Sequence, residues 1–116
     1  MNKYGKIAIK AVSYIKAGLQ ENEAWEKASC EVFPRGSPSQ KKGCPRNAFL
    51  GLVSQNPNAL KSKNAIYARK ALDILKTNPN RSYSVDELWS LVINEPKTHN
   101  SQMNVVLALW GNRLIK

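Results

Sequence analysis

The sequence predicts an all-α fold of about six helices in one compact bundle, with two pseudo-symmetric three-helix units as its candidate plan. Three observations carry that prediction. Apolar residues recur at three- and four-residue spacing in six segments. No segment alternates apolar and polar residues between hairpin turns. Proline, glycine and asparagine cluster between the periodic segments, where helices must stop.

In the first predicted helix, residues 3–17, Tyr4, Ala8, Ala11, Ile15 and Leu19 share one face, flanked by Ile7 and Val12. Lys3, Lys6 and Lys10 form a row elsewhere on the wheel, either a solvated face or half of a polyanion surface. Gly18 suits the left-handed position just past a helix end. In the second helix, 21–33, Glu21 and Glu23 sit in the first turn, where they complement the helix dipole. Trp25, Ala28 and Val32 face inward with Ser29 and Phe33 on the flanks, and Pro34 ends the segment.

Residues 34–44 are rich in Pro, Gly and Ser and read as a loop whose charges are Arg35, Lys41 and Lys42. Pro45 suits a helix start, and a third helix follows over about 45–55. Its apolar residues, Ala48, Phe49, Leu50, Leu52 and Val53, predict burial around most of its circumference.

After the Asn56-Pro57-Asn58 turn, Ser62 caps a fourth helix, about 63–77, with Ala68, Ala71, Leu72 and Leu75 inward and Lys63, Arg69 and Lys70 outward. Ser84-Val85-Asp86-Glu87 is a capping box opening a fifth helix, about 85–94, closed by Glu95-Pro96. Asn100 or Ser101 caps a sixth, about 101–111.

The 116 residues suffice for one domain, 1–116, with a real core. Eighteen Lys and Arg against eight Asp and Glu give a net charge of +10. The excess is even, nine basic and four acidic side chains in 1–56 and again in 57–116. Such a balance fits a cationic soluble protein or one that binds nucleic acid or another polyanion. No apolar run approaches the roughly 20 residues that span a bilayer. The N-terminus lacks the pattern of a signal peptide, so the expected location is cytoplasmic, with Cys30 and Cys44 as free thiols and a disulfide across the loop as the alternative.

The six segments suggest an internal repeat, 3–55 and 63–111. Ala8-x-Lys10-Ala11-Val12 is echoed sixty residues later by Ala68-x-Lys70-Ala71-Leu72. Glu23-Ala24-Trp25 is echoed sixty-four later by Glu87-Leu88-Trp89, and Asn47–Val53 fifty-seven later by Asn104–Trp110. The spacing from Trp25 to Asn47 is 22 residues and from Trp89 to Asn104 is 15, so the first copy holds seven extra residues. They fall in the Gly/Ser/Pro/Lys loop. A core does not require them, which makes the loop the leading candidate for a functional element.

That loop delivers Lys41, Lys42 and Arg46 to a helix start, where free amides and the dipole also favour an anion. With Lys63 and Lys70 of the fourth helix they form the predicted anion-binding set. The glycines resemble those of a phosphate loop, but the Gly-x4-Gly-Lys-Ser/Thr pattern is missing. The bland alternative is a flexible lysine-rich surface loop. Cys44 at the helix start is either a low-pKa thiol or an inert cap residue. His99 reads as solvated, and two cysteines with one histidine make no zinc set. No catalytic constellation is present, and the sequence predicts neither an enzyme nor a cofactor. Trp25, Trp89 and Trp110 stand at core-facing spacings, which disfavours a base-stacking role. The sixth helix offers Gln and Asn but no Arg or Lys near its start and is a poor recognition helix; Lys61, Lys63, Arg69 and Lys70 are better placed for phosphates. The remaining reading is a protein–protein interaction or regulatory module without a nucleic-acid role.

With Tyr4-Gly5, Ala24-Trp25-Glu26, Lys42-Gly43-Cys44-Pro45, Ala48-Phe49-Leu50-Gly51-Leu52 and Gln102-Met103-x-Val105-Val106-Leu107-Ala108-Leu109-Trp110 in view, the chain resembles a family of small uncharacterised bacterial proteins. The resemblance implies a small helical domain and brings no activity or catalytic residue.

Overall fold

A computed structural model describes residues 2–93 and 97–115. Every regular element among them is a helix: α1 (Lys3–Lys16), α2 (Glu21–Val32), α3 (Pro38–Lys41), α4 (Gly43–Val53), α5 (Lys63–Thr77), α6 (Val85–Val92) and α7 (Gln102–Gly111). The all-α prediction is correct. Six helices match the predicted ones, and α3 is a single turn inside the segment read as loop.

Local chemistry sets most boundaries. Asn2 accepts the Gly5 amide at 2.9 Å and starts α1. Ser62 accepts the Ala65 amide at 3.1 Å and starts α5. The capping box forms: Glu87 N–H donates to Ser84 Oγ and Ser84 N–H to Glu87 Oε1, each at 3.1 Å. α1 ends in a Schellman motif with Gly18 at φ 111, its amide donating to Ile15 O and that of Leu19 to Tyr14 O. α7 ends in the same motif, with Arg113 N–H donating to Trp110 O and Leu114 N–H to Leu109 O. Here the left-handed position, φ 56, is held by Arg113 instead of glycine.

Two starts depart from the sequence reading. α4 begins at Gly43, two residues before Pro45. Proline is tolerated one turn in because its missing N–H would have had no partner in the helix. Ser101 precedes α7 at φ 68 and makes no cap bond; the neighbouring Gln102 carboxamide accepts the Asn100 amide instead. The predicted stop at Glu95-Pro96 lies outside the described residues.

Two apolar clusters form the core. The first joins Ile7, Ala8, Ala11 and Val12 of α1 to Ala24, Trp25 and Ala28 of α2. The second joins Ala68, Ala71 and Leu75 of α5 to Leu88, Trp89 and Val92 of α6. α4 and α7 run between them and feed both. Phe49, Val105 and Leu109 enter the first cluster, while Ala48, Met103 and Val106 enter the second. That double duty explains why these two helices lack a wide polar face.

α1 packs on α2 and α5 on α6; the third long helix of each half then crosses to the other half, α4 onto α5 and α7 onto α1. The exchange is uneven, since α5 also packs on α7 and α1 has no comparable packing with α4. α4 and α5 approach closely at Gly51. A Cβ there would lie 2.5 Å from the Ala65 Cα, closer than non-bonded carbons can sit.

Candidate anion-binding site

The Pro/Gly/Ser-rich segment after α2 is anchored to the helices around it. Gln40, only 4% exposed, is the anchor. Its Nε2 donates to Ser29 Oγ at 2.9 Å and to Glu26 Oε2 at 3.2 Å, and its Oε1 accepts the Gly36 amide at 3.0 Å. These bonds tie the turn and α3 to α2. Tyr4 OH donates to Ser39 O at 2.9 Å and ties the same segment to α1. Ser37 caps α3 through the Gln40 amide, and Pro38 occupies its first turn. The polar residues that make the segment look like free loop in the sequence are the ones that dock it.

Docking carries Lys42 toward α1. Its Nζ lies 5.6 Å from the Tyr4 ring centroid. Lys3 Nζ lies 5.4 Å from the ring of Phe33, and the two rings are 5.3 Å apart. The start of α1, the end of α2 and the inserted segment thus bring two lysines onto one aromatic pair. Among the described residues, no carboxylate lies within ion-pairing distance of either lysine. Lys41, the residue before Lys42, is exposed. The start of α4 follows at Gly43, with no side chain capping it.

The other predicted members go elsewhere. Arg46 lines a groove with Glu23, Glu26 and Glu31 and with Lys27 and Arg35, three carboxylates balanced by three cations, so the groove has no excess positive charge for an anion. Lys63 precedes Ala65, which touches Gly51 near the far end of α4. Eight helical residues, roughly 12 Å, therefore separate it from the Lys42 end. Lys70 Nζ donates to Val92 O at 3.3 Å, and the neighbouring Arg69 donates to Gly51 O at 3.0 Å. Both side chains satisfy carbonyls in the last turns of other helices, where cations are favoured. The five-residue set is thus split, with Lys41 and Lys42 at one place and Arg46, Lys63 and Lys70 at others.

The lysine row of α1 divides too. Lys10 pairs with Glu31 at 3.8 Å. Glu31 also accepts the Tyr14 hydroxyl at 2.6 Å, a bond that raises the Tyr14 pKa, with burial and the carboxylate charge adding to the shift. Lys3 and Lys6 remain outward.

Cys30 and Cys44 are free thiols, each partly buried. His99 is not the solvated residue the sequence suggests. It packs edge-on against Trp89 at 6.2 Å and its Nε2 faces Asp86 at 3.3 Å. Gln102 is buried, bonding Asn64 at 2.9 Å, which removes α7 as a recognition helix. No group of three His, Cys, Asp or Glu among the described residues could hold a metal ion.

Sequence reasoning missed Tyr4 and Phe33 as partners of the lysines, because periodicity assigns each ring to its own helix and says nothing of their meeting. It also placed Trp110 in the core. Trp25 and Trp89 are buried, at 1% and 7% exposure, but Trp110 is only partly covered and lines a groove. The cue lay in Gly111-Asn112-Arg113, which puts Trp110 in the last helical turn, where fewer neighbours can cover it.

Among the described residues, no helix is long and apolar enough to cross a membrane. No curated protein and no solved structure matches the chain. Residues 1–116 match a family of unknown function, DUF6979, and the chain belongs to that family.

Proposed function

We propose that this family member is a non-enzymatic module that binds a polyanion, and that the polyanion is nucleic acid. One observation carries the reading: Lys3 and Lys42, from separate segments, converge on the Tyr4–Phe33 pair, and among the described residues no carboxylate pairs with either. Phosphates would meet the ammonium groups, as they do in sequence-independent nucleic-acid binding. Lys41 extends this site. Lys63, Lys70 and Arg46 do not belong to it. The +10 charge favours encounter with any polyanion, and the lysine pair gives that attraction a location. Two free thiols suit a reducing compartment, which supports a cytoplasmic role.

A protein-docking role has thinner support. Ile66 and Leu91, each about half exposed, are the exposed large apolar side chains among the described residues. Two such residues fall well short of the contiguous patches that mark interfaces.

The test is binding of a fluorescent oligonucleotide by wild type and by the K3Q/K42Q variant across a salt series. Loss of two phosphate contacts should flatten the log–log salt slope by about 1.4 on a single strand. Equal slopes for the two proteins would remove this site from the interface.

A further inference from the structure

A second feature, at the other end of α7, combines aromatic and cationic side chains in one concavity. The Asn2 side chain donates to Ser101 Oγ at 3.3 Å, so the N-terminal ends of α1 and α7 lie together. The ten residues of α7 then carry the chain about 15 Å away from the Lys3 end. There, the ends of α5 and α7 and the segment 79–83 enclose a groove of about 920 Å³. That is in the range of about 300–1,000 Å³ typical of ligand sites.

The lining is selective. Trp110 and Leu107 pack against the α5–α6 cluster and also line the groove. Tyr83, packed on the same cluster, also lines it, with the Arg81 guanidinium 4.5 Å from its ring centroid. Lys76 and Arg113 complete the cationic set, and among the described residues no Asp or Glu is in the lining. Glu87 Oε2 pairs with Arg81 at 3.8 Å while its Oε1 holds the capping-box bond, so Arg81 is partly neutralised and Lys76 and Arg113 carry the excess charge of the groove. Arg113 holds a left-handed backbone position that glycine fills at the end of α1. An arginine there is strained, and such strain clusters at binding sites.

We infer that this groove binds single-stranded nucleic acid, with a base stacked on Trp110 and phosphates on Arg81, Arg113 and Lys76. The inference rests on the polyanion reading for the class of ligand, but not on the Lys3–Lys42 site. Aromatic side chains interleaved with cations are what an unpaired strand requires, since every base has a π-face and every unit a phosphate. The stacked Arg81–Tyr83 pair offers a second flat surface for a base. The C-terminal ends of α5 and α7 carry partial negative charge at the groove. They orient the strand, with the base inward and the phosphates outward toward the guanidinium groups. A duplex hides its base faces and cannot use Trp110.

Intrinsic fluorescence tests this, because Trp25 and Trp89 are buried and leave Trp110 as the accessible reporter. At low salt, a ten-nucleotide thymidine strand should quench the emission, and Trp110→Phe should abolish most of the quench. Trp110→Ala should weaken binding by about five- to hundredfold, the measured worth of one base–aromatic stack. Because Trp110 also packs on the core, Arg81→Gln and Arg113→Gly provide surface controls. Both should fold and both should weaken binding. The inference is overturned if the strand binds without quenching, if a duplex or thymidine monophosphate binds as tightly, or if the two arginine variants bind like wild type. Salt-sensitive binding in any of those cases would leave the Lys3–Lys42 reading standing. Absence of binding to any nucleic acid would end both.

Discussion

Gly51→Ala should destabilise the fold, although alanine is the better helix former. An ideal Cβ at position 51 falls 2.5 Å from Ala65 Cα, 2.6 Å from its Cβ and 3.0 Å from its carbonyl oxygen. Carbon atoms prefer about 3.5–4.0 Å, so α4 and α5 must part by about 1 Å. The obstacle is backbone and cannot swing aside. Overpacking of this kind costs about 1–3 kcal/mol, and the high end applies here. Against it stands a helix-propensity gain of about 1 kcal/mol. The net loss is about 1–2 kcal/mol, or roughly 4–8 °C in Tm for a chain of this size. Parting the helices also stretches the Arg69 bond to Gly51 O, now 3.0 Å. Urea and thermal unfolding followed by circular dichroism would measure the effect. Gly111→Ala is the control, because a Cβ there meets nothing within 4 Å and should be neutral or stabilising. If Gly51→Ala is as stable as wild type, the helix crossing is not as close as described and the reasoning fails.

Two further outcomes follow from the helix ends. Arg113→Gly should raise stability by about 0.5–1 kcal/mol in urea unfolding, because it relieves the left-handed strain at φ 56 less the entropy cost of glycine; lower stability would mean that the arginine side chain makes contacts that outweigh the strain. The carboxyl of Glu87 titrates below its ordinary value of 4.5, held down first by the Ser84 amide, then by the Ser84 hydroxyl and the charge of Arg81, with burial opposing. A depressed folded pKa gives stability that is present above the unfolded value and is lost as pH falls through the folded one. Wild type should therefore lose more stability than Glu87→Gln as the pH drops below 4.5, and parallel acid-unfolding curves would contradict this.

Much of the fold is legible because the signals are local. The capping box at Ser84, the caps at Asn2 and Ser62 and the glycine stop at Gly18 depend on residues within a turn of each other. Asn2 and α3 nevertheless escape the sequence reading, which looks for apolar periodicity and finds none in a four-residue helix. The site is less legible because its chemistry depends on where helices meet. Lys70 and Arg69 look like a free phosphate-binding row until α6 and α4 present their terminal carbonyls to them. Arg46 looks like a companion of Lys42 until the fold puts it in a groove where three glutamates of α2 balance it, Lys27 and Arg35. Lys3 and Lys42 are thirty-nine positions apart and become neighbours only because Gln40 docks the inserted segment. The +10 charge is plain from composition, but where it is concentrated is a property of the packing.

The measurement that bears most directly on the function is the affinity of wild-type protein for a single-stranded oligonucleotide between about 50 and 200 mM salt. Contacts from Lys3, Lys41, Lys42 and the three groove cations, six charges in all, give an expected log–log slope of about −4.2, from roughly −0.7 per phosphate contact. A slope near zero, or no detectable binding at the lowest salt, would contradict a polyanion-binding role.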